Sequence, residues 1–209
     1  MVVLNPSMEN YNKFNHLKIH SQYSICEGAL KINELSDFCK KKKIKALGLS
    51  DTSNLCGALE FSENISKVGT QPILGTQINF KYKNEYGLLP LIAKTKKGYR
   101  SIVHLSSKSF LDSHDHELPH CEIQDLIDNS EDIILLSGSI NGLLGNLFNK
   151  GRFDDMVELY KVFKRKFKNN FYIEIQRHND INEKSFELFN LNKSKNLEIP
   201  IIATNEIYY

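Results

Sequence analysis

No stretch of this 209-residue chain is apolar for long enough to span a bilayer, so none of it reads as a membrane-crossing helix. The start of the chain also lacks the charged-then-apolar-then-small pattern of a secretory signal. Met1 to Lys13 has one short apolar beginning, followed by Asn, Pro, Glu and Tyr. It reads as a leader (residues 1–13) ahead of a single domain over residues 14–209. The four cysteines, at 26, 39, 56 and 121, have no CxxC spacing, which argues against a zinc knuckle or a dithiol redox pair. Scattered thiols of this kind fit a reducing cytoplasm. Charge of one sign is missing too. Lys and Arg number 27 against 25 Asp and Glu, and a net charge of +2 gives no electrostatic case for a dedicated nucleic-acid binder. No Gly-x-Ser-x-Gly elbow supports a Ser-His-Asp catalyst. No Gly-Lys-Ser/Thr accompanies Gly138, Gly142 and Gly145, so these glycines predict a helix-start turn and not a phosphate cradle.

What is present is ordinary globular composition, 41% hydrophobic and 25% charged, in a length suited to one sizeable core. Short β-branched or apolar runs alternate with helical patterns. The runs predict strands over Asn15–His20, Ile44–Ser50, Pro72–Tyr82, Leu88–Lys94, Asp132–Ser137, Phe171–Gln176 and Ile199–Thr204. Ile32, Leu35 and Cys39 form an apolar stripe at helical spacing. So do Phe153, Met156, Val157, Tyr160, Phe163 and Phe167, and later Phe186, Phe189 and Leu197. Lys40 to Lys43 close the first of these helices, where cations meet the C-terminal dipole favourably. Only the third and fourth strands lack a helix between them, and Lys83 to Gly87 reads as a hairpin turn. Repeated strand–helix units argue an α/β fold with a mostly parallel sheet closed into a barrel.

Function in such barrels sits where strands end and loops begin. His20, Asp51, Gln77, Ser139, His178 and Glu206 each fall at or just past a predicted strand end, which makes their convergence at one mouth the expectation. The first strand carries the sharpest signal. In His16-Leu17-Lys18-Ile19-His20, residues 16, 18 and 20 share one face, and Glu27 follows in the next turn. Alternating imidazoles suit a divalent ion, but an ammonium between them has no lone pair to offer. A second polar cluster, His114 to Cys121, has ligand-like composition that would take adventitious zinc or nickel, and reads as a solvated loop.

The first-strand segment resembles the first motif of the PHP family, the polymerase and histidinol phosphatase superfamily. The resemblance continues through Leu49 to Gly57, Pro72 to Gly75, Leu135 to Gly138, Tyr172 to His178 and Ala203 to Glu206. The Asp-Thr-Ser-Asn-Leu-Cys-Gly and Ile-Ala-Thr-Asn-Glu stretches resemble the version found at the N-terminus of bacterial replicative polymerase alpha subunits. The resemblance implies the family's distorted seven-stranded barrel, with a late helix lying past Tyr209. It also implies a metal centre at these strand ends, from which the chain departs at several positions. Lys18 stands for the first His of His-x-His, Thr52 for the His of an Asp-His pair, Gln77 for a Glu, Leu88 for a His and Ser139 for a Cys. Glu206 and Tyr208 stand for an Asp-x-His pair. His20, Glu27, Asp51, His178 and Glu206 remain as ligands, enough for at most one weakly held Zn, Mn or Mg ion.

The function this implies is that of a structural PHP domain with an eroded metal site. It would support the rest of the polymerase alpha subunit and dock the separate proofreading exonuclease (epsilon) subunit, with DNA reached through the full-length protein. Two alternatives differ in class: a metal-dependent 3′–5′ exonuclease or phosphoesterase working on the reduced ligand set, and a free-standing small-molecule phosphatase. On the first reading the domain itself is not catalytic.

Overall fold

The computed structural model describes residues 14–113 and 116–209. The leader, Met1 to Lys13, lies outside the described residues, as do His114 and Asp115 of the polar loop. Period-two alternation builds the strands. The first, β1 (Lys18–Ile19), turns Ile19 outward into an apolar cluster and keeps Lys18 inside. The rest of the chain follows as α1 (Ile32–Lys42), β2 (Ala46–Thr52), α2 (Ala58–Lys67), β3 (Gln71–Tyr82), β4 (Glu85–Ala93) and α3 (Lys96–Leu111). After these come β5 (Cys121–Glu122), α4 (Ile123–Asp128), β6 (Ile133–Leu136), α5 (Leu143–Asn149), α6 (Phe153–Phe167), β7 (Phe171–Ile175), α7 (Glu183–Leu197), β8 (Ile201–Ala203) and β9 (Glu206–Ile207).

These strands form one nine-stranded sheet in the order β8-β7-β6-β4-β3-β2-β1-β9, with β5 added beside β3. The pairs β3–β4 and β4–β6 are antiparallel and the others parallel. The two ends of that order, β8 and β9, are consecutive in the chain and separated only by Thr204 and Asn205. A link that short spans at most roughly 10 Å, so the sheet must curl until its edges approach. The barrel expected from strand–helix alternation is therefore a curled mixed sheet closed by a covalent seam.

Helices cover the outside. Ile32, Leu35 and Cys39 of α1 pack with Phe61 and Ile65 of α2 against Leu47 and Leu49 of β2. On the other flank Met156, Leu159, Tyr160, Phe163 and Phe167 of α6 are buried against β6 and β7. Each side chain of this size, taken fully out of water, contributes roughly 1.5–3 kcal/mol. Asp154 and Asp155 in the first turn of α6, and Lys164 to Lys166 in its last, complement its dipole. Lys40 to Lys42 do the same for α1, which ends on Lys43 at φ 53°. No helix among the described residues is long and apolar enough to cross a membrane.

Several boundaries move from those expected. β4 starts at Glu85 because the hairpin ladder continues to Tyr82↔Glu85, leaving Lys83 and Asn84 as the whole turn. β5 and β9 were not foreseen: two residues each are too short to display a period. Cys121, expected in a loop, is buried and paired in register with Phe80. One glycine has a clear steric reason. Gly98, in the first turn of α3, sits so close to the Asp132 carbonyl that a Cβ would lie 2.0 Å from its oxygen. Gly→Ala in a helix usually stabilises by up to about 1 kcal/mol. Gly98→Ala is expected to destabilise instead, lowering the denaturant midpoint, whereas a midpoint that rises would show that the α3–Asp132 contact yields freely.

Candidate functional site

Inside the curl, the neighbouring strands β1 and β9 meet β7, from near the other end of the sheet order, at one ammonium. Lys18 on β1 is almost fully buried, with Nζ 3.2 Å from Glu174 Oε1 of β7 and 3.3 Å from Glu206 Oε1 of β9. Parallel register puts Lys18 directly beside Glu206, so both face inward. Neither approach has the angle of a hydrogen bond, so charge and not directed donation holds the group. Polar neighbours complete the cluster. Glu174 Oε1 accepts from Gln176 Nε2 at 2.7 Å and from Thr204 Oγ1. Glu206 Oε1 faces His20 Nε2 at 3.1 Å and accepts from Gln77 Nε2, which lies 3.0 Å from the same imidazole nitrogen. Tyr208 stacks on His20, with ring centroids 4.2 Å apart.

Burial works to raise the Glu206 pKa, yet the His20 hydrogen bond, the Lys18 ammonium and the Gln77 amide hold the carboxyl well below its usual range. Tyr208 moves the other way. Burial, followed by the charges of Glu206 and Glu27, keeps its phenol protonated far above the usual range.

Asp51 is also fully buried but belongs to a second arrangement. On β2 it shares the face of Leu47 and Leu49, pointing away from Lys18. Its Oδ1 accepts from Ser21 N at 2.6 Å and Ser24 Oγ at 2.7 Å, and its Oδ2 from Ser21 Oγ at 2.8 Å. Both oxygens are thus engaged in holding the turn after β1. Ser24 joins the two arrangements, since its Oγ donates to Asp51 and lies 3.3 Å from His20 Nδ1; Thr52 Oγ1, on the inward face, donates to Glu27 at 2.6 Å and lies 3.5 Å from the same nitrogen.

The expected ring is therefore partly assembled. Lys18, His20, Gln77 and Glu206 touch, with Tyr208 packed on them. Glu27 is exposed and reaches the group only through Thr52. Gln77 lies in mid-strand and not at a strand end, as the predicted Pro72–Tyr82 run already placed it; register with Thr52 brings it inward. Ser139 is half-buried and lines a small cavity with Glu174 and Gln176. His178 is exposed past β7, where its backbone N–H donates to Glu183 at 2.8 and 2.9 Å. Leu88 is half-buried on β4, opposite Asn79. Glu174 was missed. The signal was available, since Glu174 and Gln176 alternate with Phe171, Ile173 and Ile175 and so must face the interior.

A divalent ion is what the family resemblance implies for this place, and the residues present fit one poorly. Among the described residues no three His, Cys, Asp or Glu side chains are grouped to hold a metal ion. The Lys18 ammonium lies between the carboxylates of Glu174 and Glu206 and carries no lone pair for a metal, and Asp51 is turned away from it.

Removing Lys18 leaves two buried carboxylates uncompensated. Lys18→Met is expected to lower stability by about 3 kcal/mol, read as a fall in denaturant midpoint. An unchanged midpoint would mean the ion pairs contribute nothing net. Glu206 fixes the pH dependence. A depressed carboxylate stabilises the fold fully above its ordinary pKa of 4.5, and that stability is lost as pH falls below it toward the lower folded value. Glu206→Gln is expected to be less stable at pH 7 and to lose less on acidification. A parent and variant with parallel acid limbs would show that Glu206 is not the group responsible.

Known polymerase subunits match this sequence along most of its length. The DNA polymerase III subunit alpha of Vibrio cholerae is 30% identical over 200 residues, covering 94% of this chain and 17% of that protein. That of Borreliella burgdorferi is 32% identical over 209 residues, covering 95% and 18%. That of Rickettsia prowazekii is 33% identical over 198 residues, covering 94% and 17%. The chain thus spans less than a fifth of the length of these curated relatives. Among solved structures, a candidate metal-dependent phosphoesterase from Bifidobacterium adolescentis matches with TM-score 0.56 at 11% identity, over 93% of this chain and 88% of that one. An amidohydrolase from Chromobacterium violaceum matches with TM-score 0.54 at 10% identity, over 93% and 87%. At such identities these two speak for the curled α/β fold alone. The sequence pattern of the PHP domain matches residues 16–178, from the segment entering β1 to the histidine past β7, and the chain belongs to the PHP domain family.

Proposed function

We propose that this chain is the N-terminal PHP domain of a DNA polymerase III alpha subunit working in the cytoplasm. Its ancestral metal site is eroded, and its role is to support the polymerase and dock the proofreading exonuclease subunit. The observation that carries this reading is the buried Lys18 ammonium between Glu174 and Glu206. A lysine there neutralises carboxylates as a bound cation would, but it has no vacant coordination position and cannot activate water. His20 and Glu206, the two candidate ligands in direct contact, are already engaged with each other and with Gln77. The relatives named above are polymerase subunits, which supports placing the domain within such an enzyme.

A docking role calls for exposed apolar surface on a rigid frame. Two adjoining grooves of about 350 and 430 Å³ share Ser53, Asn54, Cys56 and Phe110. Ile25, Val103 and Phe110 border them with exposed side chains. We assign this face to the exonuclease subunit.

Three measurements test the reading. Protein purified without chelators is expected to carry at most one metal ion per chain and to show no phosphatase or exonuclease turnover with manganese or zinc. Two or more ions, or turnover abolished by His178→Ala, would favour the metal-dependent phosphoesterase alternative. In calorimetric titration with the purified exonuclease subunit, Phe110→Asp is expected to weaken binding at least about tenfold without changing the melting temperature. Wild-type affinity in that variant would remove the grooves from the interface, and absence of binding by the parent chain would overturn the docking role.

A further inference from the structure

The buried face of α7 is unusually polar: of its residues only Glu183, Phe186 and Asn190 are buried. Where it packs on the end of β7 there is a small cavity, walled by Ser139, Glu174, Gln176, Glu183, Phe186 and Asn190. The space open to the centre of a water-sized sphere is about 10 Å³, close to what a single water requires. Two fully buried polar atoms without a hydrogen-bond partner belong to its walls. One is an acceptor, Glu174 Oε2, and the other a donor, Asn190 Nδ2.

The remaining atoms of both groups are committed. Glu174 Oε1 takes Gln176 Nε2, Thr204 Oγ1 and the Lys18 charge. Asn190 Oδ1 accepts from the Tyr160 hydroxyl at 2.6 Å. Tyr160 is entirely buried, which pushes its phenol well above the usual range and keeps the O–H present as donor. The amide is therefore oriented by Tyr160, with its N–H groups directed away from that bond.

We propose that this cavity binds one water molecule, which accepts from Asn190 Nδ2 and donates to Glu174 Oε2. Its second proton has Ser139 Oγ on the same wall. The bridge would tie α7 to β7 and complete the shell of the carboxylate that faces Lys18. A metal cation is the poorer occupant despite the nearby acids. Asn190 presents a donor, Glu183 is taken by the backbone N–H groups of His178 and Asn179, and Glu187 is paired with Arg177.

A crystal structure of the chain at a resolution that orders water is expected to show one peak about 2.7–3.2 Å from both Glu174 Oε2 and Asn190 Nδ2. Three results would overturn the proposal. They are no peak in an intact cavity, the two side chains bonded directly, or a peak about 2.3–2.6 Å from oxygens only with the Asn190 amide reversed, as a bound cation requires. A double-mutant cycle supplies a solution readout. Asn190→Leu is expected to lower the folding equilibrium constant about tenfold in the parent and clearly less in a Glu174→Gln background, because both changes break one bridge. Equal losses in the two backgrounds would show that the residues do not communicate. The crystal result decides if Asn190→Leu does not fold.

Discussion

Lys18 sits on β1 and reaches Glu174 on β7 and Glu206 on β9, so a single ammonium ties together strands from both ends of the sheet order. The rest of the barrel depends on that tie. A curled sheet with free edges can splay, and among the described residues no hydrogen-bond ladder closes this one, since β8 pairs with β7 alone. Two things hold the seam. The covalent link through Thr204 and Asn205 keeps β8 and β9 close. The ion pairs, with Thr204 Oγ1 donating to Glu174, brace the same place from inside. The outer faces are apolar and bind helices, which leaves the interior of the seam as the place where charge is concentrated.

That concentration is costly in isolation. Three ionisable groups taken out of water lose several kcal/mol of hydration each, and attraction among them offsets this only where geometry is good and the remaining lone pairs are satisfied. Beside the charge of the ammonium, each carboxylate accepts hydrogen bonds from neutral donors, Glu174 from Gln176 and Thr204, Glu206 from Gln77. Neutral amides and hydroxyls thus spread the negative charge without adding to it. The arrangement explains why Glu206 stays ionised despite burial. It also explains why an apolar residue at position 18 is a worse replacement than its volume suggests.

Much of this was legible beforehand, and the failures have physical causes. Apolar–polar alternation located the main strands, and helical stripes located α1, α6 and α7, because those patterns reflect one-sided burial. β5 and β9 escaped because two residues carry no period, although β9 supplies Glu206 to the cluster. Asp51 was grouped with the inward residues from its position near a strand end. Its parity with Leu47 and Leu49 already pointed it to the opposite face, where Ser21 and Ser24 capture it. Glu174 was passed over for the reverse reason: it lies inside a strand, where an acid next to isoleucines reads as incidental unless its facing is followed. Convergence across strands that pair only through the closed sheet cannot be seen in one linear sequence.

The partition between fold and chemistry follows from what an ammonium can and cannot do. A divalent ion at the seam would hold the same carboxylates and also present open positions where water or phosphate oxygens are polarised. Lys18 supplies the first property without the second, since it offers only N–H donors and no coordination site. A lysine at that position therefore keeps the two carboxylates paired and the barrel closed without needing metal ligands around it. Glutamine at 77, leucine at 88, serine at 139 and tyrosine at 208 are all compatible with a braced seam and none is needed to hold a metal. Histidine at 18 would take away the fixed charge that braces the two carboxylates. The cluster that remains is best understood as a closure device in which each polar group answers to the ammonium.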